Sequence, residues 1–153
     1  MKKLVIIGAN DFQNQLILKA KSLGYETHVF AWEEGAVGKS TADYFYPISI
    51  VEKEEILDKC KQIKPDGVCS IASDLASITV NYVAENLGLP CNKMKYSAIQ
   101  TNKYKMREAF MAAGLPCPKF VLADENFDES QVKDFKFPII VKPTDRSGSR
   151  NIM

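Results

Sequence analysis

Apolar positions fall in short blocks whose spacing switches repeatedly between that of a strand and that of a helix. Leu4-Val5-Ile6-Ile7 is an unbroken apolar run closed by Gly8, the pattern of a strand covered on both faces. Phe12, Leu16, Ile17, Ala20 and Leu23 then recur at helical spacing up to Gly24, which stops that helix. A second strand is predicted over Thr27–Trp32 and a short extended piece over Tyr44–Tyr46, before Pro47. Ile56, Leu57, Cys60 and Ile63 form the apolar stripe of a second helix that ends near Pro65. Gly67–Ala72 reads as a third buried strand and Leu75–Leu87 as a third helix, closed by Gly88. Strands separated by helices of this length imply right-handed crossovers and a parallel α/β sheet.

The rhythm changes near Pro90. Tyr96–Thr101 is expected to be a short helix, and Met106, Ala109, Phe110 and Ala113 mark a longer one stopped by Gly114 and Pro116. Lys119–Ala123 is predicted as a strand and Asp128–Phe135 as a weak helix. Ile139-Ile140-Val141 is predicted as a further strand, ended by Pro143, with a polar glycine-containing loop over Thr144–Asn151. A boundary is therefore expected between Cys91 and Tyr96, dividing the chain into residues 1–92 and 93–153. The second stretch is short for an independent core.

Composition narrows the classes. Of 153 residues, 46% are apolar and 25% charged, as in a soluble globular chain rather than a disordered one. Twenty basic residues against nineteen acidic ones leave no field that would draw the chain to nucleic acid or an anionic membrane, and neither partner is expected. No apolar run approaches the roughly 20 residues of a membrane span. The opening MKKLVIIGAN lacks a cleavage-site pattern, so a cytoplasmic protein is expected. Cys60, Cys69, Cys91 and Cys117 are scattered singly and His28 is the lone histidine, which argues against a zinc site or a disulfide framework.

Candidate chemistry lies where strands end. Gly8-Ala9-Asn10-Asp11-Phe12-Gln13 joins the first strand to the first helix, at the crevice side of a doubly wound sheet. It has one glycine and no dinucleotide fingerprint. Asn10 and Gln13 are either the polar lip of a substrate site or part of a tight turn capped by Asn10 or Asp11. Ser73-Asp74 ends the third strand; Asp74 is a natural helix cap and also faces the crevice, where it could bind a substrate amine or hydroxyl. In the second half, Lys103 opens a helix and Lys142 closes an apolar strand, where an unpaired buried ammonium would be costly without an anion. Ser147, Gly148 and Ser149 follow, small residues that let backbone N–H groups approach a phosphate. A cation beside such a loop is a plausible triphosphate clamp.

The order of Lys103, the Gly114-Leu115-Pro116 stop, the Phe137-Pro138-Ile139-Ile140-Val141-Lys142-Pro143 run and the Ser/Gly loop resembles the entry to an ATP-grasp domain. Gly8–Gln13, Ala42–Ser49 and Ile71–Asp74 resemble the domain preceding it in biotin carboxylase, carbamoyl phosphate synthase large chains and related carboxylate–amine ligases. Asn10 stands where many members carry glycine. The resemblance implies a Rossmann-like parallel sheet for residues 1–92, the substrate domain, followed by an incomplete ATP-grasp α+β subdomain over residues 93–153. It implies that Lys103, Lys142, Ser147, Gly148 and Ser149 contact ATP, with Mg2+ serving the whole enzyme. Asn10, Gln13, Ser73 and Asp74 would line the substrate site. The partners would be a small-molecule carboxylate and an amine, with a homodimer as the usual assembly. The acidic magnesium ligands of such enzymes follow the matched region, so these 153 residues alone are expected not to catalyse ligation. Two other classes remain open: a Rossmann-type NAD(P)- or nucleotide-binding module without ligase activity, and a noncatalytic interaction domain in which Lys103 and Lys142 are structural.

Overall fold

The computed structural model describes residues 1–145 and 152–153, and divides into two compact units, Met1–Ser97 and Ala98–Met153.

The first unit is built on a four-stranded parallel sheet. Its strands are β1 (Lys3–Ile7), β2 (Glu26–Phe30), β3 (Tyr44–Tyr46) and β4 (Gly67–Cys69), in the order β3-β2-β1-β4. Register pairs Val5 with both His28 and Val68, so the first strand is central. Its side chains alternate between two apolar layers, as strand geometry requires. Val5 and Ile7 join Phe30, Val68 and the buried faces of α2 (Lys53–Ile63) and α3 (Asp74–Asn86), which supply Ile56, Cys60 and Val83. Ile6 joins Val29 and the Ile17–Ala20 face of α1 (Asp11–Ser22) on the other side. Helices on both faces explain why Leu4–Ile7 reads as a continuous apolar run.

Two polar networks fix the sheet's edges. Asp43 receives hydrogen bonds from the Thr27 N–H and hydroxyl, both at 2.8 Å, while its own N–H donates to Thr27 Oγ1 at 3.0 Å. Lys21 Nζ reaches the same carboxylate at 2.8 Å. His28, 4% exposed, lies between the Glu26 carboxylate at 2.8 Å and the Tyr46 hydroxyl at 3.0 Å, with its ring stacked on Tyr44. After α3 the chain turns back along that helix: Glu85 accepts from the Met94 N–H at 2.8 Å and lies 3.6 Å from Lys93. These contacts carry the first unit to Ser97, a few residues beyond the change of rhythm near Pro90.

The second unit holds most of α4 (Ser97–Thr101), all of α5 (Lys103–Ala112) and a 3₁₀ turn at Glu129–Val132. None of its described residues is fully buried. The Tyr104 and Phe120 rings meet edge to face at 5.5 Å. The strands expected over Lys119–Ala123 and Ile139–Val141 are not formed among the described residues, and the helix expected over Asp128–Phe135 shrinks to that single turn. An apolar run becomes a strand only where a neighbour takes up its backbone groups. Here one such pairing is described: Val141 and Met153 exchange both N–H···O bonds at 2.9 Å, the closed pair of an antiparallel ladder.

Candidate functional site

The order β3-β2-β1-β4 reverses direction between β1 and β4, and in open parallel sheets ligands bind beyond the carboxyl ends of the strands at that reversal. The loops leaving β1 and β4 meet there. Gly8 leaves β1 at φ +100°, a conformation only glycine adopts without strain, and a Cβ there would lie 3.1 Å from Gln13 Cδ. Asn10 caps α1: its Oδ1 accepts from the N–H groups of Phe12 at 3.0 Å and Gln13 at 3.3 Å. Gln13 returns the favour, its Oε1 accepting from the Asn10 N–H at 3.2 Å, which completes a capping box. The Gln13 Nε2 donates across to the carbonyl of Ile71, in the loop that leaves β4. Ser70 makes a second bridge, donating its hydroxyl to the Ile7 carbonyl at 2.5 Å.

Of the four residues assigned to this crevice, three have side chains that hydrogen-bond to the scaffold. Asn10 and Gln13 spend their side chains on each other and on Ile71, and Gln13 is 1% exposed. The cap of α3 is Ser73, whose Oγ accepts from the Ala76 N–H at 3.2 Å, and not Asp74. Asp74 is instead the first helical residue, in the positive end of the helix dipole, with an exposed carboxylate that makes no hydrogen bond or ion pair among the described residues. Phe12, Trp32, Ile71 and Leu75 follow β1, β2 and β4 in the chain and remain exposed, Phe12 despite its place at the head of the apolar stripe expected of the first helix. At the opposite, amino end of the sheet, a groove of about 360 Å³ runs between Leu16, Leu23 and Tyr25 of one wall and Leu4 and Gly67 of the other; it contains none of the candidate residues.

The second unit brings the two candidate lysines, Lys103 and Lys142, onto joined segments. The Lys103 N–H donates to the Thr144 carbonyl at 2.8 Å, which pins the start of α5 to the stretch two residues past Lys142. Asn102 caps α5 through the Lys105 N–H at 3.0 Å, and the first turn holds Lys103 and Lys105 with no acidic residue. Positive side chains at a helix start oppose the dipole by about 0.3–1 kcal/mol each. The arrangement therefore suits an anion, in contrast to α1 and α3, which begin with Asp11 and Asp74. Lys142 corrects an expectation. It is exposed, and the Phe137–Val141 run before it is largely exposed as well, so no burial cost demands a counter-anion. Ser147, Gly148 and Ser149 lie outside the described residues. Among the described residues no group of three or more His, Cys, Asp or Glu side chains could hold a metal ion, and no helix is long and apolar enough to cross a membrane.

A parallel sheet with helices on both faces, whose β1 and β4 loops meet at the reversal of strand order, defines an α/β protein of the Rossmann-like kind. Comparison with known proteins narrows the class. No protein-family model matches the chain. It is 27% identical over 146 residues to a formate-dependent phosphoribosylglycinamide formyltransferase of Prochlorococcus marinus, covering 93% of this chain and 37% of that protein. The crystal structure of phosphoribosylglycinamide synthetase from Anaerococcus prevotii superposes with a TM-score of 0.73 at 27% identity, over 94% of this chain and 37% of that one. N5-carboxyaminoimidazole ribonucleotide synthetase from Thermotoga maritima shares the fold over the whole chain and 40% of its own, with a TM-score of 0.78 at 23% identity. Over nearly its whole length the chain is similar to carboxylate–amine ligases of the ATP-grasp superfamily. It spans a little over a third of the length of the curated relatives it matches.

Proposed function

We propose that this chain supplies the substrate domain and the opening of the ATP-binding domain of a ligase that joins a carboxylate to an amine or ammonia at the expense of ATP. The observation that carries the reading is the likeness to phosphoribosylglycinamide synthetase, which extends through both units over 94% of the chain. The hydrogen bond from Lys103 to Thr144 supports it, since it joins the two segments expected to hold phosphate.

In the reaction so assigned, the substrate carboxylate attacks the γ-phosphorus of ATP, the bond to the β-phosphate oxygen breaks, and ADP leaves. The acyl phosphate formed is then attacked by the amine, with loss of inorganic phosphate and of the amine's proton. Such chemistry depends on positioning and on neutralising phosphate charge. Lys103 and Lys142 provide cationic charge to the triphosphate, with Ser147, Gly148 and Ser149 donating to its oxygens. Mg2+, when bound with ATP, screens the same oxygens, and its carboxylate ligands are not assigned to residues of this chain. At the crevice of the first unit, Asp74 and the Ser73 hydroxyl face the small-molecule substrate, while Asn10 and Gln13 hold the walls.

The test is nucleotide preference, measured by calorimetric titration. MgATP is expected to bind and NADH is expected neither to bind nor to displace it. Tight NADH binding with no response to ATP would replace the ligase reading by that of a dinucleotide-binding module.

A further inference from the structure

Gln13 is the most deeply buried polar side chain of the crevice, and both of its polar ends are occupied by backbone. One end completes the cap of α1 through the Asn10 N–H; the other reaches 58 residues along the chain to the Ile71 carbonyl. Next to Ile71 stands Ala72, at φ +55°, one of only two positive-φ residues other than glycine among the described residues. The left-handed conformation is unfavourable for alanine, which has no side-chain hydrogen bond to support it. Something outside Ala72 must hold it. Directly after it come Ser73, the cap of α3, and the exposed carboxylate of Asp74.

We propose that Gln13 is a positioning residue of the crevice: through the Ile71 carbonyl it holds the β4–α3 loop in its left-handed turn at Ala72, and so sets where Ser73 and Asp74 stand. Gln13 does not itself touch the substrate. Gly8 is part of the same device, because a Cβ there would lie 3.1 Å from Gln13 Cδ, tight enough to press on that side chain. The Ser70–Ile7 bond anchors the loop's near end and the Ser73 cap its far end, with the Gln13 bond holding the Ile71 carbonyl between them, beside Ala72. The functional meaning of the device rests on the reading of the crevice as the substrate site.

The experiment is amide hydrogen exchange on the whole chain without ligand, so its outcome is independent of which nucleotide binds. Gln13→Met keeps the volume and removes both polar ends. It is expected to speed exchange of the Ile71–Ala76 amides about tenfold, a local opening short of global unfolding. Adding Ala72→Gly is expected to restore most of the protection, because glycine adopts φ +55° without the steric cost that alanine has there. Faster exchange confined to the first turn of α1 would overturn the proposal, since Gln13 would then serve the helix cap alone. Failure of Ala72→Gly to restore protection would overturn it as well. Where Gln13→Met does not fold, Gln13→Glu keeps the acceptor for Asn10, loses the donor once the carboxyl ionises, and is judged by the same two outcomes.

Discussion

Replacing Asp43 by asparagine should remove a pH-dependent portion of the stability of the first unit. The Lys21 ammonium beside Asp43, with the Thr27 N–H and hydroxyl, outweighs the cost of partial burial and holds the carboxyl near 2 rather than 3.8. A group whose folded value is depressed stabilises the fold above its unfolded value, and that contribution disappears as pH falls through the folded one. Full benefit is therefore expected above pH 4, with loss between about pH 4 and pH 2. At about 1.36 kcal/mol per pH unit the difference is worth about 2.4 kcal/mol. The side chain keeps 32% of its surface in water, and screening reduces the figure to about 1.5 kcal/mol. For a unit of this size that corresponds to a drop of about 8 °C in Tm at pH 7. Thermal unfolding followed by circular dichroism, at several values from pH 7 down to pH 2.5, reads both quantities. The gap between the parent and Asp43→Asn should be largest at neutral pH, shrink to about half by pH 3 and go on closing toward pH 2. A gap that stays constant from pH 6 to pH 2.5, or no gap at pH 7, would refute the reasoning.

Three further outcomes follow from the packing. Gly38→Ala would place a Cβ 2.5 Å from Ile17 Cδ1 in the buried layer under α1, and should cost about 1–3 kcal/mol in chemical denaturation, whereas Gly24→Ala, with open space around it, should show only the smaller cost of its positive φ. Thr79→Val removes a hydroxyl that donates to the Ile50 carbonyl at 2.5 Å from a 2%-exposed position; leaving that carbonyl unpaired should lower stability by about 1–3 kcal/mol in the same assay. Burial pushes the Cys60 thiol up to about 12 and that of Cys69 up to about 11, so neither should be alkylated by iodoacetamide at pH 8 in the native chain, and both should react once it is unfolded.

The first unit was largely legible in the residues because its elements are locally determined. The apolar run Leu4–Ile7 and the helical stripe Ile56–Ile63 each announce an element covered by neighbours inside the same unit, and both appear in place. The second unit was less legible. Ile139–Val141 has the composition of a strand, but a strand is completed by its neighbours, and only the Val141–Met153 pairing is described. The reasoning about Lys142 failed for the same reason: it took burial of that run as given. At the crevice, residue types predicted that the loops would be polar but could not say which side chains were already committed. Asp74 and Ser73 are both good caps, and only the backbone geometry shows that the serine takes the role and leaves the carboxylate exposed. The Gln13–Ile71 bond spans 58 residues, and nothing in the local sequence marks it.

The most direct test of the central claim is amide exchange mapped with and without MgATP, on the parent and on the Lys103→Met/Lys142→Met variant. The account predicts that ATP protects the start of α5 and the residues around Lys142 to Asp145, and that the double variant loses this protection with affinity lowered about tenfold or more. Protection confined to the Gly8–Gln13 loop, or undiminished in the double variant, would contradict it.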